Sequence, residues 1–371
     1  MRTLGSFLAI AVGTGIALVA TGQSGAQSTE TIRQYQFAAS GDGYQLVMRE
    51  VARPAAGPGE VLVRVHATSL NRRDWYILNE SIGERGLDYT DNVPLSDGAG
   101  EVIAVGEGVT EFQIGDRVVS TFFTDWVDGK RNAAVRPSAR GAGPGTGGML
   151  SEMIVTTPRA LVPIPEYLSY EEAATLPCAG VTAWNGLFTQ GNLQPDDYVL
   201  LEGTGGVSSF GLIFAAAAGA RPIITSSSNE KLARARELGA VGTVNYRENE
   251  DWQVEVRALT DGYGVDHVLE IGGRDTLEKA LEALAFEGHI ALIGGVTGAA
   301  PPIPVGALMG WGAAVSGIYV GSRADFEAMN AFMEEHRIHP VIDRVFDFEQ
   351  AQEAYDLMGN GSFMGKIVIA F

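Results

Sequence analysis

One stretch constrains this chain more than any other: Leu200-Leu201-Glu202-Gly203-Thr204-Gly205-Gly206-Val207-Ser208-Ser209-Phe210-Gly211. A short apolar strand, Tyr198–Leu201, runs straight into a glycine turn, and a helical segment follows over Val207–Ala218. A turn so placed aims the backbone N–H groups of the helix start at an anion, and a side chain at Gly203 or Gly205 would block its approach. Gly203, Thr204, Gly205, Gly206 and Val207 are therefore expected to cradle the pyrophosphate of a dinucleotide. Ser208 stands where a third glycine is usual and is small enough to keep helix and strand close. A glycine trio alone is weak evidence; its place inside a strand–helix–strand run gives it weight. A tight turn without ligand is the competing reading.

The flanking pattern supports that context. Ile223–Thr225 reads as a second strand, Lys231–Leu238 as a helix, Val268–Ile271 as a strand, Leu277–Ala285 as a helix and His289–Ile293 as a strand. Apolar strands alternating with helices make a parallel sheet covered on both faces. The region from Gln34 to Val105 differs: Gln45–Met48, Glu60–Val65 and Gly100–Val105 are short runs bounded by Gly and Pro, the mark of a compact β-rich unit. Residues 121–148 read as a long loop ending in a glycine-dense stretch, and loops of that length are functional or mobile. Helices over Asp325–Glu335 and Gln350–Met358 and a strand over Lys366–Ile369 complete the chain.

The end of the second strand bears on which dinucleotide binds. NAD sites place an acidic residue there to accept hydrogen bonds from the ribose hydroxyls. Here the strand runs out as Thr225-Ser226-Ser227-Ser228-Asn229-Glu230-Lys231, with Glu230 already on the next helix. Small hydroxyls at Ser226 and Ser227, with Lys231 downstream, leave room and positive charge for a 2′-phosphate, so NADPH is expected over NADH. Ser227 or Ser228 capping the helix is the plainer reading, and both roles can hold together.

Composition excludes other classes. A net charge of −19 argues against a nucleic-acid partner, because phosphate binding needs a basic surface. The single cysteine, Cys178, rules out an intrachain disulfide and any multi-cysteine structural zinc site. The five histidines show no zinc-protease spacing; His336 and His339, three apart, could share a helix face and read as a surface pair. At the start, Arg2 precedes an apolar run over Phe7–Ala20, and Ser24-Gly25-Ala26 suits a signal peptidase. That run is short of the roughly 20 residues a membrane span needs. Residues 1–28 are expected to be a cleavable leader, with an anchor or a mistaken start as alternatives. Cleavage implies an exported or periplasmic protein with no stable membrane insertion; a later start implies the cytoplasm.

The motifs Asn71-Arg72-Arg73-Asp74-Trp75-Tyr76, Ser96-Asp97-Gly98-Ala99-Gly100-Glu101-Val102, Leu176-Pro177-Cys178-Ala179-Gly180-Val181-Thr182-Ala183-Trp184, Gly317-Ile318-Tyr319-Val320-Gly321-Ser322 and Gly365-Lys366-Ile367-Val368 join the glycine turn. Together they make the chain resemble the medium-chain dehydrogenase/reductase superfamily, and within it the zinc-free quinone oxidoreductase and zeta-crystallin-like branch. The resemblance covers nearly everything after residue 34. It implies an α/β fold: a GroES-like β-rich catalytic domain over residues 29–178, completed by 319–371, plus a Rossmann doubly wound parallel sheet over 179–318. It also implies a homodimer or homotetramer paired through the edge of the Rossmann sheet.

The resemblance further implies roles by position. The catalytic-zinc positions fall on Asn71, Ser96 and Cys178, of which two are poor zinc ligands, so no metal is expected. Cys178 is then a packed thiol beside the nicotinamide. Asn71 and Tyr76 match polar residues facing the cleft, and Arg72 either assists them or binds cofactor phosphate. Asp74 and Asp97 orient backbone or Arg73, or serve turn chemistry. Thr182, Lys231, Tyr246, Gly321 and Ser322 are further cofactor contacts, and the 121–148 loop, with Trp126 and Asp128-Gly129, shapes the substrate pocket.

Without zinc, charge building on the substrate oxygen must meet weaker donors. Quinones and conjugated enones delocalise that charge, whereas a simple ketone needs a Lewis acid or a proton relay. The favoured reading is an NADPH-dependent reductase of a small-molecule quinone or enone. A zinc-independent alcohol or aldehyde dehydrogenase and a non-catalytic NADPH-binding protein stay open beside it.

Overall fold

The computed structural model describes residues 30–79, 87–141, 146–303 and 305–371. The expected leader and part of the glycine-dense stretch, including Gly143 and Gly145, lie outside these residues. The described residues open with a two-stranded antiparallel ribbon, β1 (Thr31–Ser40) and β2 (Gly43–Ala52). Strand β3 (Val61–Ser69), helix α1 (Arg72–Asn79) and strands β4 (Asp97–Val105), β5 (Arg117–Ser120), β6 (Met153–Thr156) and β7 (Leu161–Pro163) follow. Helix α2 (Tyr170–Ala173) leads into α3 (Val181–Trp184), which is flanked by two π-wound turns, Leu176–Gly180 and Asn185–Thr189.

The second unit runs β8 (Tyr198–Leu201), α4 (Gly206–Ala217), β9 (Arg221–Ser226), α5 (Asn229–Glu237), β10 (Gly242–Asn245), α6 (Trp252–Leu259), β11 (Val265–Glu270), α7 (Leu277–Ala283), β12 (Leu284–Leu292), α8 (Val305–Trp311) and β13 (Ala314–Gly317). Its six strands are parallel, in the order β10-β9-β8-β11-β12-β13. The chain winds outward from β8, then returns to its other side at β11. That reversal opens a crevice at the carboxyl ends of β8 and β11, where a doubly wound sheet binds its ligand. The central strands β8 and β11 are almost wholly buried, as Val199, Leu200 and Leu201 show, and this accounts for their continuous apolar runs.

The chain ends with α9 (Arg323–His336), β14 (Ile342–Asp347), α10 (Ala351–Asn360) and β15 (Lys366–Ala370). Strand β15 pairs antiparallel with β3 and parallel with β14, so the C-terminus closes the sheet begun by the N-terminal strands. The architecture is the expected GroES-like unit joined to a Rossmann-like parallel sheet.

Several local expectations change. Helix α9 stops at His336 because Arg337 turns left-handed (φ 52°), so His336 and His339 share no helix face. His339 lies beyond the turn, with Nδ1 2.7 Å from Glu172. The 121–148 segment is no open loop in its described part: Phe123 bridges Ala139, and Phe122, Phe123 and Val135 are buried. Helix α7 ends at Ala283, two residues earlier than its pattern suggests, because Leu284 already begins β12. Among the described residues, no helix is long and apolar enough to cross a membrane.

Candidate active site

The glycine turn sits at the carboxyl end of β8. Gly203 has φ +68°, a left-handed conformation that favours glycine. Beside Gly205 a Cβ would meet nothing within 4 Å, so the turn keeps open space where a phosphate must come close. No side chain caps α4, which leaves its first-turn N–H groups for an anion. These features fit a dinucleotide pyrophosphate. Thr204 is buried, and its carbonyl accepts from Gly365 N–H at 2.9 Å; Val207 is half-buried on the first turn of α4.

Two glycine roles differ from expectation. A Cβ on Gly206 would lie 2.8 Å from Lys366 Cδ and 3.2 Å from Ala179 Cβ, so this glycine makes room for a side chain of the chain itself. The close packing of α4 on the sheet belongs to Gly211, whose Cβ would strike Leu201 and Leu269 at 2.7 Å. Ser208 instead donates from its hydroxyl to the Glu202 carbonyl at 2.6 Å. Behind the turn, Glu202 and Glu270 are both buried. The Glu202 carboxylate accepts from Ile271 and Gly272 N–H groups, and burial beside the charge of Glu270 pushes its carboxyl well above the usual range.

At the end of β9, Ser226 is buried and Ser227 half-buried. Ser228 caps α5 by accepting from Lys231 N–H at 3.4 Å, the capping role foreseen for this serine run. Tyr246 N–H donates to Ser226 O at 3.1 Å, which brings the Tyr246 backbone to the serine run, and the Tyr246 side chain is exposed. Lys231 Nζ reaches across to the carbonyls of Phe363 (2.9 Å) and Gly361 (3.4 Å), and burial lowers its pKa. Thr182 is buried on α3.

The polar motifs around Asn71, Asp97, Cys178 and Lys366 meet at a buried cluster. Asn71 precedes α1, and its backbone N–H donates to Asp74 Oδ2 at 2.8 Å. Its side-chain Oδ1 accepts from Lys366 Nζ at 2.6 Å, and its Nδ2 is buried without a hydrogen-bond partner among the described residues. Lys366 also donates to Leu70 O at 2.8 Å and lies 3.6 Å from Asp97 Oδ2. Asp97 in turn accepts from Ser96 Oγ at 2.6 Å and from Cys178 N–H at 3.2 Å. Lys366 is thus a site residue whose role went unread in the sequence; the signal was a lysine opening an apolar strand, Lys366-Ile367-Val368-Ile369.

Tyr76 and Arg72 lie on α1. The Arg72 guanidinium donates to Met358 O at 2.9 Å and lies over the rings of Trp75 and Tyr76, which ties α1 to α10. Tyr76 is half-buried, and its hydroxyl makes no hydrogen bond among the described residues.

The donor set does not fit zinc. Among the described residues no three His, Cys, Asp or Glu side chains could hold a metal ion together. At the three corresponding positions stand an amide whose oxygen is taken by an ammonium, a hydroxyl spent on Asp97, and one thiol. Burial and the charge of Asp97 raise the Cys178 thiol far above its ordinary range, so it is held protonated.

A cleft of about 470 Å³ lies between Trp126–Arg131 and Gly317–Asp325, lined by Trp126, Arg131, Asn185, Tyr319 and Asp325 among others. The segment of the middle loop singled out in the sequence therefore faces the Gly317–Ser322 motif. Val320 there has φ 57°, a strained conformation for a β-branched residue, and Asn185 Nδ2 holds its carbonyl at 2.6 Å. Gly321 and Ser322 have structural duties beside any cofactor contact. A Cβ on Gly321 would strike Val181 Cγ1 at 2.7 Å, and Ser322 closes a capping box with Asp325 on α9.

Comparison with known proteins agrees with the two-unit fold. Residues 57–166 match the alcohol dehydrogenase GroES-like domain, and residues 206–335 match a family described as zinc-binding dehydrogenase. The latter range contains none of Asn71, Ser96 and Cys178. A zinc-type alcohol dehydrogenase-like protein of Schizosaccharomyces pombe is 44% identical over 84% of this chain and 91% of its own. A crystal structure from Sinorhizobium meliloti 1021, provisionally described as an alcohol dehydrogenase, superposes with a TM-score of 0.86 at 41% identity, covering 92% of this chain and 99% of that one. A quinone oxidoreductase of Pseudomonas syringae superposes with a TM-score of 0.75 at 27% identity, covering 92% of this chain and 100% of that one. The chain belongs to the medium-chain dehydrogenase/reductase superfamily, and it is an NAD(P)-dependent oxidoreductase.

Proposed function

We propose that this enzyme uses NADPH in preference to NADH, works without zinc, and reduces a small-molecule quinone or α,β-unsaturated carbonyl. The observation that carries the reading is the pair of atoms on one side chain: Asn71 Oδ1 held by the Lys366 ammonium, and Asn71 Nδ2 buried with no hydrogen-bond partner among the described residues. A buried donor left unpaired is costly, and such a group is commonly reserved for a ligand. Bound reduced nicotinamide supplies hydride. The chain's task is to receive negative charge on the substrate oxygen, and Asn71 Nδ2 and the Tyr76 hydroxyl are neutral donors for it. In a conjugated acceptor that charge is spread before it reaches oxygen, so neutral donors suffice.

The preference for NADPH is supported by the serine run after β9, which places no carboxylate at Ser226 or Ser227, and by Tyr246 beside it. The test is metal analysis of purified protein together with NADPH and NADH consumption on one quinone, one enone and one ketone. Turnover of the quinone or enone with NADPH, in protein holding far less than one zinc per chain, is expected. Stoichiometric zinc, equal affinity for both nucleotides, or turnover confined to simple alcohols and ketones would overturn it.

For assembly we propose a homodimer, or a homotetramer built from it, through β13. Among the described residues this strand pairs only with β12, and α8 buries none of its residues, leaving Val305 and Met309 exposed along with Phe286. A free strand edge beside apolar surface calls for cover. Light scattering that gives the mass of one chain would refute this.

A further inference from the structure

We propose that Lys366 is a positioning residue: its ammonium fixes the Asn71 amide so that Nδ2, and not Oδ1, is presented to the substrate oxygen. The inference rests on the role given above to Asn71. Lys366 is about as buried as the core, 2% exposed, and its three contacts are Leu70 O at 2.8 Å, Asn71 Oδ1 at 2.6 Å and Asp97 Oδ2 at 3.6 Å. An ammonium donates and never accepts, so only the oxygen of an amide can face it. A flipped Asn71 would set its NH2 against the NH3 of Lys366, two donors in contact at low dielectric. The orientation of the amide therefore follows from charge.

Other groups hold Lys366 where it must be. Asp97 keeps the buried cation paired, and Asp97 is itself fixed by Ser96 Oγ and by Cys178 N–H. The lysine stem runs past Gly206, where any Cβ would meet its Cδ at 2.8 Å. One residue earlier, Gly365 N–H donates to Thr204 O at 2.9 Å, and Gly205 and Gly365 form a parallel bridge. The donor side chain and the nucleotide turn are thus located by the same two residues of β15 and its approach.

The test uses K366M, which cannot donate, K366R, which can, N71A, and the double variant N71A/K366M. Because K366M leaves Asp97 buried and unpaired, K366M/D97N is made as well, so that loss of folding in one variant does not end the test. Measured are kcat with a quinone or enone, the NADPH dissociation constant by fluorescence, and far-UV circular dichroism. Removing one oriented donor from such a site costs on the order of a hundredfold in kcat, and N71A is expected to show that loss. K366M and K366M/D97N should lose about tenfold or more in kcat while NADPH affinity stays within about threefold, because the amide is disordered but present. K366R should recover most of the loss. The double variant should match N71A alone, since Lys366 acts through Asn71. Losses that multiply in the double variant, or full kcat in a folded K366M or K366M/D97N, would overturn the positioning role. Full kcat in N71A would instead overturn the reading of Asn71 on which it stands.

Discussion

Replacing Asp74 with asparagine perturbs the one carboxylate of the site whose environment can be turned into a magnitude. Asp74 is 1% exposed; Oδ2 accepts from Asn71 N–H, and Oδ1 makes no hydrogen bond among the described residues but lies 3.7 Å from the Arg73 guanidinium. Burial outweighs Arg73 and raises its pKa from 3.8 to about 6. Because the folded state holds this proton more tightly than the unfolded chain, stability is greatest below the unfolded value. It falls as pH rises from about 4 through about 6, and the loss is constant above that. Linkage puts the cost at about 0.5 kcal/mol at pH 4 and about 3 kcal/mol at pH 8. D74N keeps an oxygen for Asn71 N–H and carries no charge, so it should remove the penalty. Urea unfolding of D74N and the parent at both pH values is the assay. The expected result is a higher midpoint at pH 8 and a small change at pH 4. An equal shift at both, or a lower midpoint at pH 8, would show that the carboxylate is not penalised by burial.

Three further outcomes follow from particular side chains. G205V fills space open in the structure, so NADPH binding should weaken about tenfold or more with the melting temperature little changed, read by fluorescence titration and circular dichroism. His289 has both ring nitrogens buried without hydrogen-bond partners among the described residues, and burial with His267 nearby lowers its pKa from 6.5 to about 4. The unfolded chain then binds the extra proton as pH falls below about 6.5, at a cost of about 2 kcal/mol by pH 5. H289F should abolish that acid sensitivity in urea unfolding between pH 7 and pH 5, and an unchanged slope would count against it. Cys178, the single cysteine, should react with iodoacetamide at pH 8 about a hundredfold more slowly than free cysteine, and C178A should retain kcat within about threefold.

Local features of this chain could be read from its sequence, and long-range ones could not. Tyr198–Leu201 and the turn after it are legible because buried parallel strands are apolar throughout and a left-handed turn favours glycine. Strands β10 and β13 escape such a reading: Gly242–Asn245 and Ala314–Gly317 are four residues each, with small or polar members and no apolar run. Helix α1 hides in Arg72-Arg73-Asp74-Trp75, because its stability comes from stacking and from Arg72 on α10. The same distance conceals the reason for Gly206 and the partner of Asn71, since both depend on Lys366. That residue is 295 positions away from Asn71 and adjacent only once β15 has docked.

Docking of β15 also explains how two units keep one site in register. The strand pairs antiparallel with β3 through Val368 and Ser69, Ile369 and Thr68, and Ala370 and Ala67. Ser69 Oγ and Leu70 N–H both bond to Ile367 O, which pins the frame just before Asn71. Strand side chains alternate in direction, so a slip of one residue would carry Lys366 to the opposite face. The Asn71 oxygen would then lose its cation, Asp97 its partner, and Gly206 its reason to lack a side chain. Gly365 would leave Thr204 in the same movement. One strand register therefore sets the nucleotide turn and the donor amide together, which is why a cation built into the chain can hold this centre between two sheets.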